Sequence, residues 1–310
     1  MIMTDVHEIF KDLREVNAFT RVDSKHILDL YLGTDGFSRK VLLLISDNQP
    51  DNLVSTRIID VAIGLRNDNR WALSFTLCDD SYNDMFMLFC TDIIDTSRTV
   101  RNKADGTGFV CERYKKWQRL LAAAKSDLLS FSQLKGLLGE MVFLRDNLVP
   151  KYGITPAVDS WMGPDMADQD FIIDSTWYEV KTVSSGATEI HISSVEQLDC
   201  ENPGELIVVY ADKTSKSNQY AQTPNSVYNS LIDMMPDSEL KFRFNKRLMH
   251  IGYYPRPEYD SDSSTFEVKG SSIYTVTPEF PCLRRNAMPA TVNDVTYTLS
   301  LAAINPYRKE

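Results

Sequence analysis

Asp170, Glu179 and Lys181 bring two carboxylates and an ammonium into one short stretch, Gly163 to Thr182 (GPDMADQDFIIDSTWYEVKT). Phe171-Ile172-Ile173 is an apolar run, Asp174-Ser175-Thr176 supplies turn residues, and Trp177 to Val183 alternates. The stretch therefore predicts a β-hairpin. Tyr178, Val180 and Thr182 fall on one face of its second strand, with Trp177, Glu179, Lys181 and Val183 on the other. With Ser175-Thr176 as the turn, Asp170 lies across from Lys181 and diagonal to Glu179, within side-chain reach. Carboxylates brought together repel and resist joint ionisation. A hard divalent cation relieves that repulsion, and Mg²⁺ favours sites of one or two carboxylates completed by phosphate oxygens.

The loop before the hairpin offers three aspartates, Asp165, Asp168 and Asp170. Asp165 is five residues from the apolar strand, whereas Asp170 directly precedes Phe171 and is fixed by that run. Because a ligand displaced by about an ångström loses much of its effect, Asp170 is the expected ligand and Asp168, of the same strand parity, the second choice. The helix that must back this site is Leu134 to Arg145 (LKGLLGEMVFLR), with Leu134, Leu137, Leu138, Met141 and Val142 as its apolar stripe and Ser130 or Ser132 as N-cap. Glu140 falls at the edge of that stripe, where an acid either reaches the adjacent sheet or faces solvent. After the hairpin, Glu189 to Ser194 reads as a third strand, Val195 to Leu198 as a short helix or turn, and Glu205 to Ala211 (ELIVVYA) as a strand buried on both faces. Ser184, Ser185 and Thr188 lie on the loop after the second hairpin strand, which either donates to phosphates or is plain connector, and His191 reads as an interior or hydrogen-bonded histidine ahead of one that approaches substrate.

Asp170 followed by Glu179-Val180-Lys181, with the Glu140 helix upstream, resembles the PD-(D/E)XK nuclease signature. More narrowly, the chain is similar to a family of bacterial PD-(D/E)XK motif proteins found near restriction-type genes, over roughly residues 130 to 215. The resemblance implies an α/β fold, a restriction-endonuclease-like αβββαβ core. It makes Asp170 and Glu179 metal ligands, Glu140 a third supporting acid and Lys181 the catalytic lysine. It implies Mg²⁺, replaceable by Mn²⁺, and phosphodiester hydrolysis, with DNA as substrate and a restriction or phage-defence setting that includes partner subunits. A second D-x(n)-E-x-K pattern, Asp260 and Asp262 before Glu267-Val268-Lys269, lacks an apolar strand to fix its acid and reads as an exposed strand.

Around this core, 310 residues leave room for two domains or one elaborated core, and 43% hydrophobic content supports burial. Residues 3 to 17 predict a helix. Segments beginning at His26, Lys40, Arg57, Trp71 and Asp84 predict short strands, giving a β-rich N-terminal domain over 1–105 whose aromatics (Trp71, Phe75, Phe86, Phe89) are core. Residues 101–108 (RNKADGTG) read as the connection to a nuclease core over 106–252, and 253–310 as a β-containing C-terminal extension. Five scattered cysteines, an odd count, argue against a disulfide framework, and the four dispersed histidines show no zinc-site spacing. The apolar runs are too short to span a bilayer and the start lacks a signal-peptide pattern, so a cytoplasmic protein is expected. The net charge of −10 is unusual for a DNA-binding chain. It directs attention to two basic clusters, Arg113, Lys115, Lys116 and Arg119, and Lys241, Arg243, Lys246 and Arg247, and to partner proteins. Two other readings remain open: a non-catalytic nucleic-acid-binding or scaffolding subunit, and an N-terminal protein-interaction module carried on an architectural nuclease fold.

Overall fold

The computed structural model describes residues 6–13, 15–123, 128–165, 167–200 and 202–309. The chain divides into two compact units, Met1–Asp127 and Leu128–Glu310. The first contains α1 (Val6–Asp12), β1 (Phe19–Arg21), β2 (Asp29–Thr34), β3 (Lys40–Ser46), β4 (Ile59–Leu65), β5 (Trp71–Leu77), α2 (Asn83–Ser97) and α3 (Lys103–Ala123). Its five strands form one antiparallel sheet in the order β1-β2-β3-β5-β4. Leu30, Leu32, Leu42, Leu44, Leu73 and Phe75 are buried in it. Phe75 meets Phe89 of α2 and Tyr114 of α3 at ring-centroid distances of 5.3 and 4.9 Å, so the two helices cover one sheet face.

Two sequence expectations fail in this unit. Met85 to Cys90 belongs to α2, because an apolar run this short has no period to separate strand from helix. The polar segment 101–108 opens α3, so the units divide at 127/128 instead of 105/106. Gly106 has a packing reason: a Cβ there would lie 2.2 Å from Leu28.

The second unit contains α4 (Phe131–Phe143), a π-helical continuation at Leu144–Leu148, α5 (Val149–Tyr152), α6 (Ile154–Asp159), β6 (Phe171–Ile173), β7 (Thr176–Val183), β8 (Glu189–Ile192), β9 (Gly204–Lys213), β10 (Ala221–Gln222), α7 (Pro224–Met234), α8 (Ser238–His250), β11 (Phe266–Val276), β12 (Tyr297–Ser300) and α9 (Leu301–Ile304). Ser130, the observed N-cap of α4, forms a capping box with Gln133, and the whole predicted stripe from Leu134 to Val142 is buried. The main sheet runs β10-β11-β9-β7-β6, with β7 parallel to β9 and the other pairs antiparallel. Its two faces bury separate cores. Tyr178, Val180, Ile207 and Val209 pack with α4, α7 and α8, while Trp177, Leu206 and Val208 pack with Ile190, Ile192 and Leu299.

The core is thus α/β as expected, but its strands are deployed differently. β8 leaves the main sheet and pairs with β12. Its residues alternate exposed and buried, so it has one apolar face and can only cover the sheet. The continuous apolar run of β9 takes the place beside β7. The segment between β8 and β9, expected as a short helix or turn, is a single 3₁₀ turn, Val195–Gln197. Residues 253–310 are no appendage: β11 lies between β9 and β10, with Phe266, Tyr274 and Val276 buried. The second Glu-x-Lys is therefore a sheet strand, yet Lys269 sits at a β-bulge and pairs with Glu267 at 2.5 Å on its half-exposed surface.

Candidate functional site

The hairpin turns at Asp174-Ser175, both at positive φ (48° and 63°), the pairing of signs that suits a two-residue hairpin loop. Its register sets Phe171 opposite Tyr178 and Ile173 opposite Thr176. Extended by one pair, Asp170 lies across from Glu179, not Lys181 as the Ser175-Thr176 turn would give. The difference between the two registers is two residues, so the strand period of two keeps all three side chains on the predicted face.

Asp170 ends the edge strand chemically. Its Oδ2 accepts from the Val180 amide at 2.8 Å, replacing the ladder partner that a longer β6 would supply. Its own carbonyl accepts from the amides of Met162 (2.7 Å) and Gly163 (3.0 Å), which fold the preceding loop against it. Glu179 is 1% exposed; its Oε1 lies 2.7 Å from Lys181 Nζ, and its buried Oε2 has no hydrogen-bond partner. Lys181 also donates to Gln197 Oε1 at 2.9 Å. Glu140, from α4, accepts from the Trp161 indole at 2.8 Å. Gly163 separates two of the acids: a Cβ there would stand 2.9 Å from Asp170 Oδ1 and 3.3 Å from Glu140 Oε2.

Burial dominates the electrostatics. It pushes Glu179 up from 4.5 to about 8, with the Asp170 charge adding to the rise and the Lys181 ammonium opposing it. Asp170 rises from 3.8 to about 6 by burial, against the Val180 hydrogen bond and Lys181. Glu140 stands well above the usual carboxylate range, from burial and then the Asp170 charge, against the Trp161 bond. With a single ammonium among them, Glu179 and Glu140 hold their protons at neutral pH unless another positive charge is present, while Asp170, at about 6, ionises first.

A divalent cation fits these residues in part. The donors are all oxygens, as hard cations require, and the unpartnered Glu179 Oε2 is a buried acceptor in want of a positive charge. Among the described residues, however, no three Asp, Glu, His or Cys side chains form a ready metal-holding group. The fit is to a cation held by one or two carboxylates and completed by substrate oxygens, not to an all-protein cage.

The other sequence candidates are placed elsewhere. Asp168 and His191 are exposed, and the Asp165 side chain lies outside the described residues. Ser184 accepts from Lys135 at 3.0 Å, and the Ser185 amide donates to Asp212 at 2.9 Å, so this loop is tied to its neighbours. Arg113 is buried against Asp92, and Lys115 is held by Asp51 and Glu112. Arg243 and Arg247 hold Asp159 at the end of α6. Trp161, Gly163 and Gln197 are site residues that sequence reasoning missed. None has a spacing signal, since each reaches the acids only through the fold.

A mixed sheet backed by α4, with an acid-bearing hairpin leading into Glu179-Val180-Lys181, defines an α/β protein of the restriction-endonuclease-like class. The chain belongs to the family described as "Putative PD-(D/E)XK family member, (DUF4420)", whose profile matches residues 6–302. That span takes in both units, well beyond the 130–215 stretch in which the motif is legible. No curated protein and no solved structure matches the chain. Membership suggests nuclease-like phosphodiester hydrolysis, and PD-(D/E)XK nucleases generally use divalent metals. Among the described residues no helix is long and apolar enough to cross a membrane.

Proposed function

We propose that this protein hydrolyses phosphodiester bonds with Mg²⁺, that DNA is its substrate, and that it works as an endonuclease in a bacterial restriction or phage-defence system. The observation that carries the reading is Glu179: a carboxylate 1% exposed, with one oxygen on Lys181 and the other unpartnered, beside Asp170. A buried acid in that state costs stability unless a cation joins it. Asp170 and Glu179 would hold Mg²⁺, or Mn²⁺ in its place, with Glu140 behind them as a supporting acid. When bound, such an ion supplies positive charge to the phosphate and lowers the pKa of a water.

The chain's own residues do the rest. The Val180 amide and the Met162 and Gly163 amides fix Asp170. The Trp161 indole fixes Glu140. Lys181 directs its ammonium to where charge develops on the attacked phosphate, a contribution that strengthens in the transition state. DNA as substrate, and partner subunits in a defence complex, are supported by the resemblance that the Asp170, Glu179 and Lys181 pattern carries. A cleavage assay with Mg²⁺, Mn²⁺ and chelator on duplex DNA, single-stranded DNA and RNA tests the reading. Chelator-sensitive cutting of DNA is expected; no cleavage of any substrate with either metal would overturn it.

A further inference from the structure

Lys181 is held at two points, and only one of them is an acid. Gln197 ends the 3₁₀ turn Val195–Gln197, which the buried Val195 and Leu198 anchor beneath the sheet. Its Oε1 accepts from Lys181 Nζ at 2.9 Å and from the Ser193 amide at 2.8 Å. Both partners are donors only, so chemistry fixes the amide's orientation: the carbonyl oxygen must face them. Glu179 Oε1, at 2.7 Å, takes a second ammonium hydrogen. Two of the three Nζ–H donors are thereby assigned, and tetrahedral geometry leaves the third direction for a substrate oxygen. Lysine is a flexible stem that freezes poorly by itself. An acid alone would hold it but weaken its charge, and Glu179 would have to share its density with any cation. A neutral acceptor holds the ammonium while leaving its charge for the substrate.

We propose that Gln197 is a positioning residue for Lys181, setting the ammonium's third N–H toward the attacked phosphate; this rests on the hydrolytic reading above. The test is Gln197→Met, which keeps length and volume and removes the acceptor. Steady-state cleavage of DNA with Mg²⁺ should show kcat lowered about 10- to 100-fold with KM within about 2-fold, the scale at which outer-shell supports act. A structural loosening of the 193–197 turn would instead raise KM or lower the folded fraction. Wild-type kcat in Gln197→Met would overturn the proposal. Urea unfolding of the wild type, Gln197→Met, Lys181→Met and the double variant gives a second, activity-independent readout. The midpoint loss of the double variant should be smaller than the two single losses combined, because they share one contact. Additive losses would overturn the proposal. If the wild type cleaves nothing, the hydrolytic reading falls, and this unfolding cycle alone decides whether Gln197 holds Lys181.

Discussion

Glu179 carries the sharpest consequences for a single residue. Burial raises its folded pKa from 4.5 to about 8 and that of Asp170 from 3.8 to about 6. Between those limits the folded state binds more protons than the unfolded state, so stability falls as pH rises. The metal-free protein should therefore show a Tm that declines from about pH 5 to about pH 8, and Mg²⁺ or Mn²⁺ should flatten the decline by binding the folded form. Thermal melts across that range check it; a Tm that climbs with pH would contradict the buried-acid geometry. Glu179→Gln removes the titrating group, so its metal-free melting should change less with pH, and calorimetric titration should show Mn²⁺ affinity lost. Lys181→Ala should abolish cleavage. Its stability should fall slightly below the wild type near pH 6, where Glu179 is protonated and the Gln197 contact is lost, and further below it near pH 9, where an uncompensated carboxylate is left buried.

The hairpin and the loop before it place the acids, and each makes a prediction at the scale of the element. Ser175 holds φ 63°, a region that costs a non-glycine residue roughly 1 kcal/mol. Ser175→Gly should raise the free energy of unfolding by about 0.5–1 kcal/mol with cleavage unchanged, since the register is set by the flanking pairs. Gly163→Ala acts in the opposite sense. Its methyl carbon would stand 2.9 Å from Asp170 Oδ1, so Asp170 or the loop must shift, and cleavage and Mn²⁺ affinity should both drop while the fold survives. Circular dichroism and calorimetry separate these outcomes. Full activity in Gly163→Ala would show that the approach of Glu140 and Asp170 is not needed.

For the molecule as a whole, the second unit is closed only by its last third. β11 pairs with β9 along ten registered positions and separates it from β10, and β12 and β8 cover the other face. A chain ending at residue 252 would expose the long edge of β9 and open both cores, inviting intermolecular pairing. That truncation should be insoluble or lack a cooperative melt, whereas residues 128–310 should give a soluble, cooperatively melting unit. Expression followed by thermal melts of both fragments checks the contrast.

Local pattern by itself determined the parts of this protein whose physics is local. The hairpin, the α4 stripe from Leu134 to Val142, the doubly buried run of β9 and the shared face of Asp170, Glu179 and Lys181 all follow from periodicities of 3.6 and 2. Sequence marked β8 as a strand but not its partner, because a four-residue strand carries no information about which edge it pairs. Met85 to Cys90 was too short to show a helical period, and 101–108 hid a helix start behind two glycines, of which Gly106 serves packing against Leu28. The turn at Asp174-Ser175 was misplaced by one residue because three adjacent polar residues are nearly equivalent locally, and only the cross-strand pairing chooses among them. The burial of Glu179, its unpartnered oxygen, the indole of Trp161 on Glu140 and the grip of Gln197 on Lys181 are tertiary facts. They arise where segments far apart in the chain exclude water from the same few side chains, and desolvation depends on everything that surrounds a group, not on its neighbours in sequence.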